Sequence, residues 1–383
     1  MRWLKRVGAI LLVIGIALVG VYAWALANTD TSQTARVIAW LEADVDDWQR
    51  FPMRTMAPAD EPRELPAPAQ PDPSISTFEV DGVPLAEFLA DNDTTAFLVA
   101  RDGELIHEAY YNGSGREATQ TSFSTAKSFA STLIGIAAHE GLLALDDPIT
   151  DHIPELLERD DRFADITVAD LIHMSSGLRY EEFPPWGDQA ATYYAPDLRA
   201  SALSTEIVEP PGQTFLYNNY NPLLVGMILE RTTRMPVAAY LEARLWGPMG
   251  AEAEGSWSLD SEASGFEKME SGINGRAVDL MKLGLAFAND GRVGETQVVP
   301  AEWVEWATSV DTSNDPAEEY QAFWWTLPES DAFSAIGNHG QFIYVDPTRD
   351  LVVARFGRSY GSLDYEGWPD LFDELAAAVS SAD

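Results

Sequence analysis

The apolar positions divide the chain into stretches of different period. From Val7 to Ala27 all 21 residues are uncharged and nearly all are apolar, and Arg2, Lys5 and Arg6 precede them. A helix of roughly 20 apolar residues spans a bilayer at about 1.5 Å rise per residue. The pattern therefore predicts one transmembrane signal-anchor helix over residues 1–27. A cleaved signal peptide is the competing reading, with Ala25-Leu26-Ala27 as its small-x-small site, although a signal core is normally about 7 to 15 residues long. In both cases the positive flank stays in the cytoplasm and the remainder is exported.

Residues 28–77 lose the apolar periodicity. Pro58, Pro62, Pro66, Pro68, Pro71 and Pro73 crowd an acidic stretch, which predicts a stiff linker. The compact domain is expected over 78–383. It opens with "TAFLVARDGELIHEAYY", two β-rich runs around Asp102-Gly103, a hairpin signal. It closes with a second pair, "FIYVDPTRDLVVARFG", and an amphipathic helix, "PDLFDELAAAVSS". Between Phe123 and about Asp290 the chain reads as mostly helical and loop-like. Strands at both ends with helices between them predict an α+β architecture. Its antiparallel sheet combines N- and C-terminal segments, is flanked by helices, and carries an inserted helical lobe.

Composition narrows the functions. Sixty-one acidic residues face 24 basic ones, a formal charge of −37, and such a field repels nucleic acid and anionic ligands. At 46% hydrophobic residues with twelve tryptophans, the charge reflects a solvated surface rather than disorder. The absence of cysteine rules out a disulfide framework and a lipid-modified N-terminal cysteine. The histidines, at 107, 139, 152, 173 and 339, have no metal-ligand spacing, and neither metal nor cofactor is expected.

Chemistry enters with "QTSFSTAKSFASTLIGIAAHEG". Lys127, one of four lysines in the chain, lies three residues after Ser124 at the mouth of an apolar helix. Helical neighbours at i and i+3 share a face with Cβ atoms about 5 to 6 Å apart. A lysine desolvated by Phe129 and Leu133 is pushed toward the neutral amine and can take the serine proton near neutral pH. The positive end of the helix dipole also favours negative charge developing on the serine oxygen. A second element, Tyr217-Asn218-Asn219 in "FLYNNYN", precedes another apolar helix.

With "FSTAKSF" and "FLYNNYN" the chain resembles the serine β-lactamase and penicillin-binding-protein superfamily, in the class C-like branch that includes esterases and 6-aminohexanoate-dimer hydrolases. The likeness extends to "LIHMSSGLRYEE", "SGINGRAVDLMKLGLAFANDGRVG" and "GNHGQFIYVDP". It implies a β-lactamase/transpeptidase-like fold and acyl transfer through a serine ester, with Ser124 as nucleophile, Lys127 as its base, Tyr217 as proton shuttle to the leaving group and Asn219 as an orienting residue. It also implies that the backbone N–H of Asn338 pairs with that of Ser124 as an oxyanion hole. The third motif departs from the pattern. Where β-lactamases carry Lys-Thr-Gly, this chain has Ala335-Ile336-Gly337, so the cation that meets a substrate carboxylate is missing; His339, turned into the cleft, is the residue that could replace it.

Two further stretches have competing readings. Gly357-Arg358-Ser359-Tyr360-Gly361 fits the G-x-S-x-G nucleophile elbow, but no histidine follows it as that fold requires. The aromatic stretch 180–194, with Trp186, reads either as a substrate wall over the cleft or as a surface insertion. The expectation is a membrane-anchored, single-pass serine hydrolase with an exported catalytic domain, acting on a small-molecule ester or linear amide. The alternatives are a β-lactamase or D-alanyl-D-alanine carboxypeptidase, and a catalytically silent binding module on the same fold.

Overall fold

The computed structural model describes residues 2–381 apart from 71, 184–185, 311–316, 318 and 328–329. In chain order, the strands of its two larger sheets are β1 (Met53–Met56), β2 (Thr94–Arg101), β3 (Glu104–Tyr110), β4 (Thr119–Thr121), β5 (Gly255–Ser258), β6 (Ile273–Arg276), β7 (Tyr320–Gln321), β8 (Trp324–Thr326), β9 (Phe333–Gly337), β10 (Gln341–Asp346) and β11 (Leu351–Gly357). The helices that matter for the site are α1 (Arg2–Leu26), α2 (Gln33–Trp40), α3 (Thr125–His139), α4 (Asp188–Tyr193), α5 (Tyr220–Thr233), α6 (Ala277–Ala288) and α7 (Gly367–Ser380).

The larger sheet runs β7-β8-β9-β10-β11-β2-β3, antiparallel throughout. It joins the N-terminal hairpin to the C-terminal strands, as the two β-rich ends predict. Successive residues of β2 alternate between two cores: Ala96, Leu98 and Ala100 face the layer of α3, α5 and α6, while Phe97 and Val99 face α7. The sheet is thus covered on both sides, which explains why its strands read as continuous apolar runs rather than alternating ones. On α7, Trp368, Leu371, Phe372, Leu375, Ala376 and Val379 are buried, an apolar stripe at helical spacing. By contrast α3 is buried on every side. At Gly135 any Cβ would stand 2.1 Å from the Trp303 ring, so only glycine lets Trp303 close over the helix.

The smaller sheet, β1-β5-β6-β4, corrects the expectation for residues 28–77. This stretch is an integral part of the body and not a spacer. β1 pairs with β5 from Met53↔Ser258 to Met56↔Gly255. The backbone N–H groups of Ala59, Arg63 and Asp72 donate to the carbonyls of Ala251, Gly250 and Ile106, and Met56 and Leu65 enter the main core. Buried Arg36 on α2 donates to the carbonyls of Tyr194 and Ala195 at 3.2 and 3.4 Å. A proline-rich segment is extended whether it floats in water or lies on a partner surface; here residues 250–258 and Ile106 supply the partner.

Residues Arg6–Leu26 of α1 are long and apolar enough to cross a membrane, and nearly their whole surface is exposed.

Candidate active site

Ser124 is the N-cap of α3, but its side chain caps nothing. The end of the helix is tied instead by Thr125, whose hydroxyl donates to Ser122 O at 3.0 Å. Phe123, buried and immediately before the serine, is held at φ +45°, a strained region for a bulky residue that the surroundings must enforce. The Ser124 hydroxyl is left to Lys127, whose Nζ lies 2.9 Å from Ser124 Oγ and 3.0 Å from the carbonyl oxygen of Glu270. Lys127 is buried and stands 4.9 Å over the centre of the Tyr217 ring. Burial brings its pKa down to about 7, against an opposing pull from the Glu270 carboxylate. A large fraction of the amine is therefore neutral at physiological pH and can accept a proton from the serine.

The Tyr217 ring packs against Trp325, centroids 5.8 Å apart, and edge-on against Tyr320 at 5.9 Å. Burial pushes its phenol well above the usual tyrosine range, partly offset by an interaction with the Ser124 hydroxyl. The phenol thus keeps its proton at neutral pH. It can relay a proton between Lys127 and a leaving group, but it does not share the resting role of base.

Within the Tyr-Asn-Asn triplet the two amides do different work. Asn218 Oδ1 accepts from the N–H groups of Tyr220 and Asn221 at 2.8 and 3.2 Å, capping α5. Asn219 Nδ2 donates to the Tyr180 hydroxyl at 3.0 Å. Its Oδ1 is buried and has no hydrogen-bond partner among the described residues.

β9 ends against this group. A Cβ on Gly337 would stand 2.3 Å from Ser122 O and 3.1 Å from Ser124 N, so glycine is what lets the Asn338 turn lie along the nucleophile-bearing segment. Gln341 Nε2 faces the carbonyls of Asn338, His339 and Gly357 at 3.2, 3.1 and 2.7 Å, and the Tyr360 hydroxyl donates to Gly337 O at 3.3 Å. Four carbonyls around the turn are thereby held.

The ring of His339 does not turn into the cleft. His339 Nε2 lies 3.0 Å from Ala43 O and Nδ1 3.2 Å from Arg358 O, with the ring on Phe123. Both nitrogens are engaged by main-chain carbonyls, so the ring is not free to replace the missing lysine. Trp186 is 74% exposed and is not one of the rings packed on Tyr217. Ala335 is buried in the core that holds α3, without a charge. Ser359 is half-buried, its hydroxyl donating to Asp93 Oδ2 at 2.7 Å and accepting from the Gly361 N–H at 3.0 Å, with no lysine or histidine bonded to it among the described residues.

Sequence reasoning placed Tyr180 within the aromatic stretch and Tyr360 within the G-x-S-x-G match without giving either a role, and it missed Trp325, the role of Gln341, Lys268 and Glu270. Lys268 Nζ lies 2.8 Å from Glu270 Oε1, both buried. Its rarity, as one of four lysines, was the available signal.

The sheet, the helical layer and a serine hydrogen-bonded to a buried lysine define a serine hydrolase of β-lactamase/transpeptidase-like architecture. The family model described as Beta-lactamase matches residues 86–371, and the chain belongs to that family. The 6-aminohexanoate-dimer hydrolase of Paenarthrobacter ureafaciens is 26% identical over 372 residues, covering 90% of this chain and 93% of that protein. Among solved structures, a Bacillus anthracis protein carrying the 6-aminohexanoate-dimer hydrolase name aligns with a TM-score of 0.77 at 23% identity, over 89% of this chain and 95% of the other. EstCE1, a hydrolase with promiscuous acyltransferase activity, aligns at 0.60 and 16% identity, over 77% and 95%.

Proposed function

We propose that this protein cleaves uncharged esters or linear amides at a membrane surface, through an acyl-enzyme on Ser124. Lys127 takes the hydroxyl proton as Ser124 Oγ attacks the carbonyl carbon. The N–H groups of Ser124 and Asn338 hold the oxyanion, an arrangement in which one donor is worth about 2.7 to 4 kcal/mol. Tyr217 passes the proton to the departing amine or alcohol as the carbonyl–leaving-group bond breaks. Water then attacks the ester with its proton returning along the same route, which releases the acid and restores Ser124.

The observation that carries this reading is the 2.9 Å contact between Ser124 Oγ and a buried Lys127 whose pKa is near 7. Charge favours one substrate class. Ala335 offers no cation and His339 is engaged elsewhere, so a penicillin or D-alanyl-D-alanine carboxylate would be desolvated without a partner. The relative named for 6-aminohexanoate dimer, whose monomers are joined by a linear amide, supports the linear-amide part of this reading and not the absence of charge, since that dimer ends in a carboxylate and an ammonium. The catalytic unit begins near residue 28, and α1 holds it on the exported face, with Arg2, Lys5 and Arg6 on the cytoplasmic side.

The test is stoichiometric labelling by a fluorophosphonate, with kcat/KM compared for a short p-nitrophenyl ester, a linear aminohexanoyl amide and a chromogenic cephalosporin at one pH and salt. Labelling of Ser124 with ester or amide favoured is expected. A tenfold advantage for the cephalosporin would replace this reading with a β-lactamase, and absence of labelling would replace it with a silent binding module.

A further inference from the structure

Beneath Lys127 lies a second charge system with no part in the steps above. Glu270 gives its main-chain carbonyl to Lys127 Nζ at 3.0 Å. Its carboxylate is buried, with Oε1 accepting from Lys268 Nζ and Ser271 Oγ, both at 2.8 Å, and Oε2 without a partner among the described residues. Lys268 Nζ also donates to Tyr193 O at 2.6 Å and sits 3.8 Å over the Tyr193 ring and 4.5 Å over Phe51. The Tyr193 hydroxyl donates to Asp47 Oδ2 at 2.7 Å, and the Arg36 guanidinium lies 5.1 Å over Phe51. Thus α2, the segment carrying Asp47 and Phe51, and α4 build the cage around Lys268.

A buried ion pair replaced by apolar residues often costs nothing in stability, so stability alone does not account for this one. Its position suggests a different role. An isolated carboxylate beside Lys127 would hold a proton on the amine and disable it as a base; an isolated ammonium would strip the amine of basicity. We propose that the Lys268–Glu270 pair is a positioning and charge-setting device for Lys127, in which Glu270 fixes the amine through its carbonyl while Lys268 offsets the Glu270 carboxylate. The proposal rests on the reading of Lys127 as the base. The groups facing Lys127 are Ser124, Tyr217 and Glu270, and those facing Lys268 are Glu270, Tyr193, Arg36 and Asp47. The pull of Glu270 on Lys127 toward the charged form agrees with this arrangement.

The experiment is the pH dependence of kcat/KM for an uncharged ester, using the full chain as wild type, Glu270→Gln, Lys268→Met and the double variant. The acid limb is expected to move to lower pH in Glu270→Gln and to higher pH in Lys268→Met, each by about half a unit or more, and to return close to wild type in the double variant. A purely structural role would lower the rate at every pH and leave the limb in place. Glu270→Gln is nearly isosteric and decides alone if Lys268→Met does not fold. A limb that stays fixed in folded Glu270→Gln, with Ser124 still labelled by fluorophosphonate, overturns the proposal. The base reading fails on a separate observation, Lys127→Met labelled as fast as wild type.

Discussion

The Tyr360 hydroxyl donates to the carbonyl oxygen of Gly337, gripping one end of the peptide whose other end is the N–H of Asn338. In a trans peptide the two groups point in opposite directions, so a donor fixed on the oxygen also fixes where the N–H points. It polarises that N–H as well. Tyr360→Phe is expected to lower kcat by about 3- to 10-fold with little change in KM, since the oxyanion forms only in the transition state. An unchanged kcat would separate the turn from the oxyanion hole.

The serines at 124 and 359 give opposite expectations. Ser124→Ala should reduce turnover by at least about a thousandfold and abolish fluorophosphonate labelling. Ser359→Ala should keep turnover within about twofold, because its hydroxyl bonds Asp93 and the Gly361 N–H. The reverse pattern would remove both the family mechanism and the site.

Lys127 also leaves a signature in stability. Its folded pKa, about 7, lies below the ordinary lysine value of about 10.4. Between these two values the unfolded chain binds more protons, so stability rises with pH, and below about 7 the full cost of the buried charge is present. Lys127→Met lacks that cost. The stability gained by Lys127→Met over wild type should therefore shrink by about 1 kcal/mol per pH unit from 7.5 to 10 in denaturant titrations. A constant difference would mean that the amine is not desolvated.

The N-terminal stretch supplies a fourth outcome. Removing residues 1–27 should leave melting temperature and turnover unchanged. Removing residues 1–77 strips β1 from β5, Leu65 and Met56 from the core, and Phe51 from Lys268, and should lower Tm by about 10 °C or more, or prevent soluble expression. Thermal scans of the two truncations decide it.

What the sequence displays follows from how far its signals reach. Ser124 and Lys127 are three residues apart on one helix, so local geometry fixes their contact, and the two hairpins and α7 are legible for the same reason. The Lys127–Glu270 contact spans 143 residues and the His339–Ala43 contact 296; no local pattern encodes either. Residues 28–77 mislead because extended, proline-rich chain has one composition for two situations, free and laid against a partner. His339 is beside the right turn, but a residue held at φ +60° points its ring where the turn dictates, toward the carbonyls of Ala43 and Arg358.

Only six residues, 27–32, separate the end of α1 from the start of α2, and α2 is fixed to the body through Arg36. Fully extended, such a connection reaches about 20 Å. With α1 in a bilayer as proposed, the enzyme has almost no leash. Its encounters are then governed by lateral diffusion within a thin shell of water along the membrane, and a compound enriched in that shell is met far more often than its bulk concentration would imply.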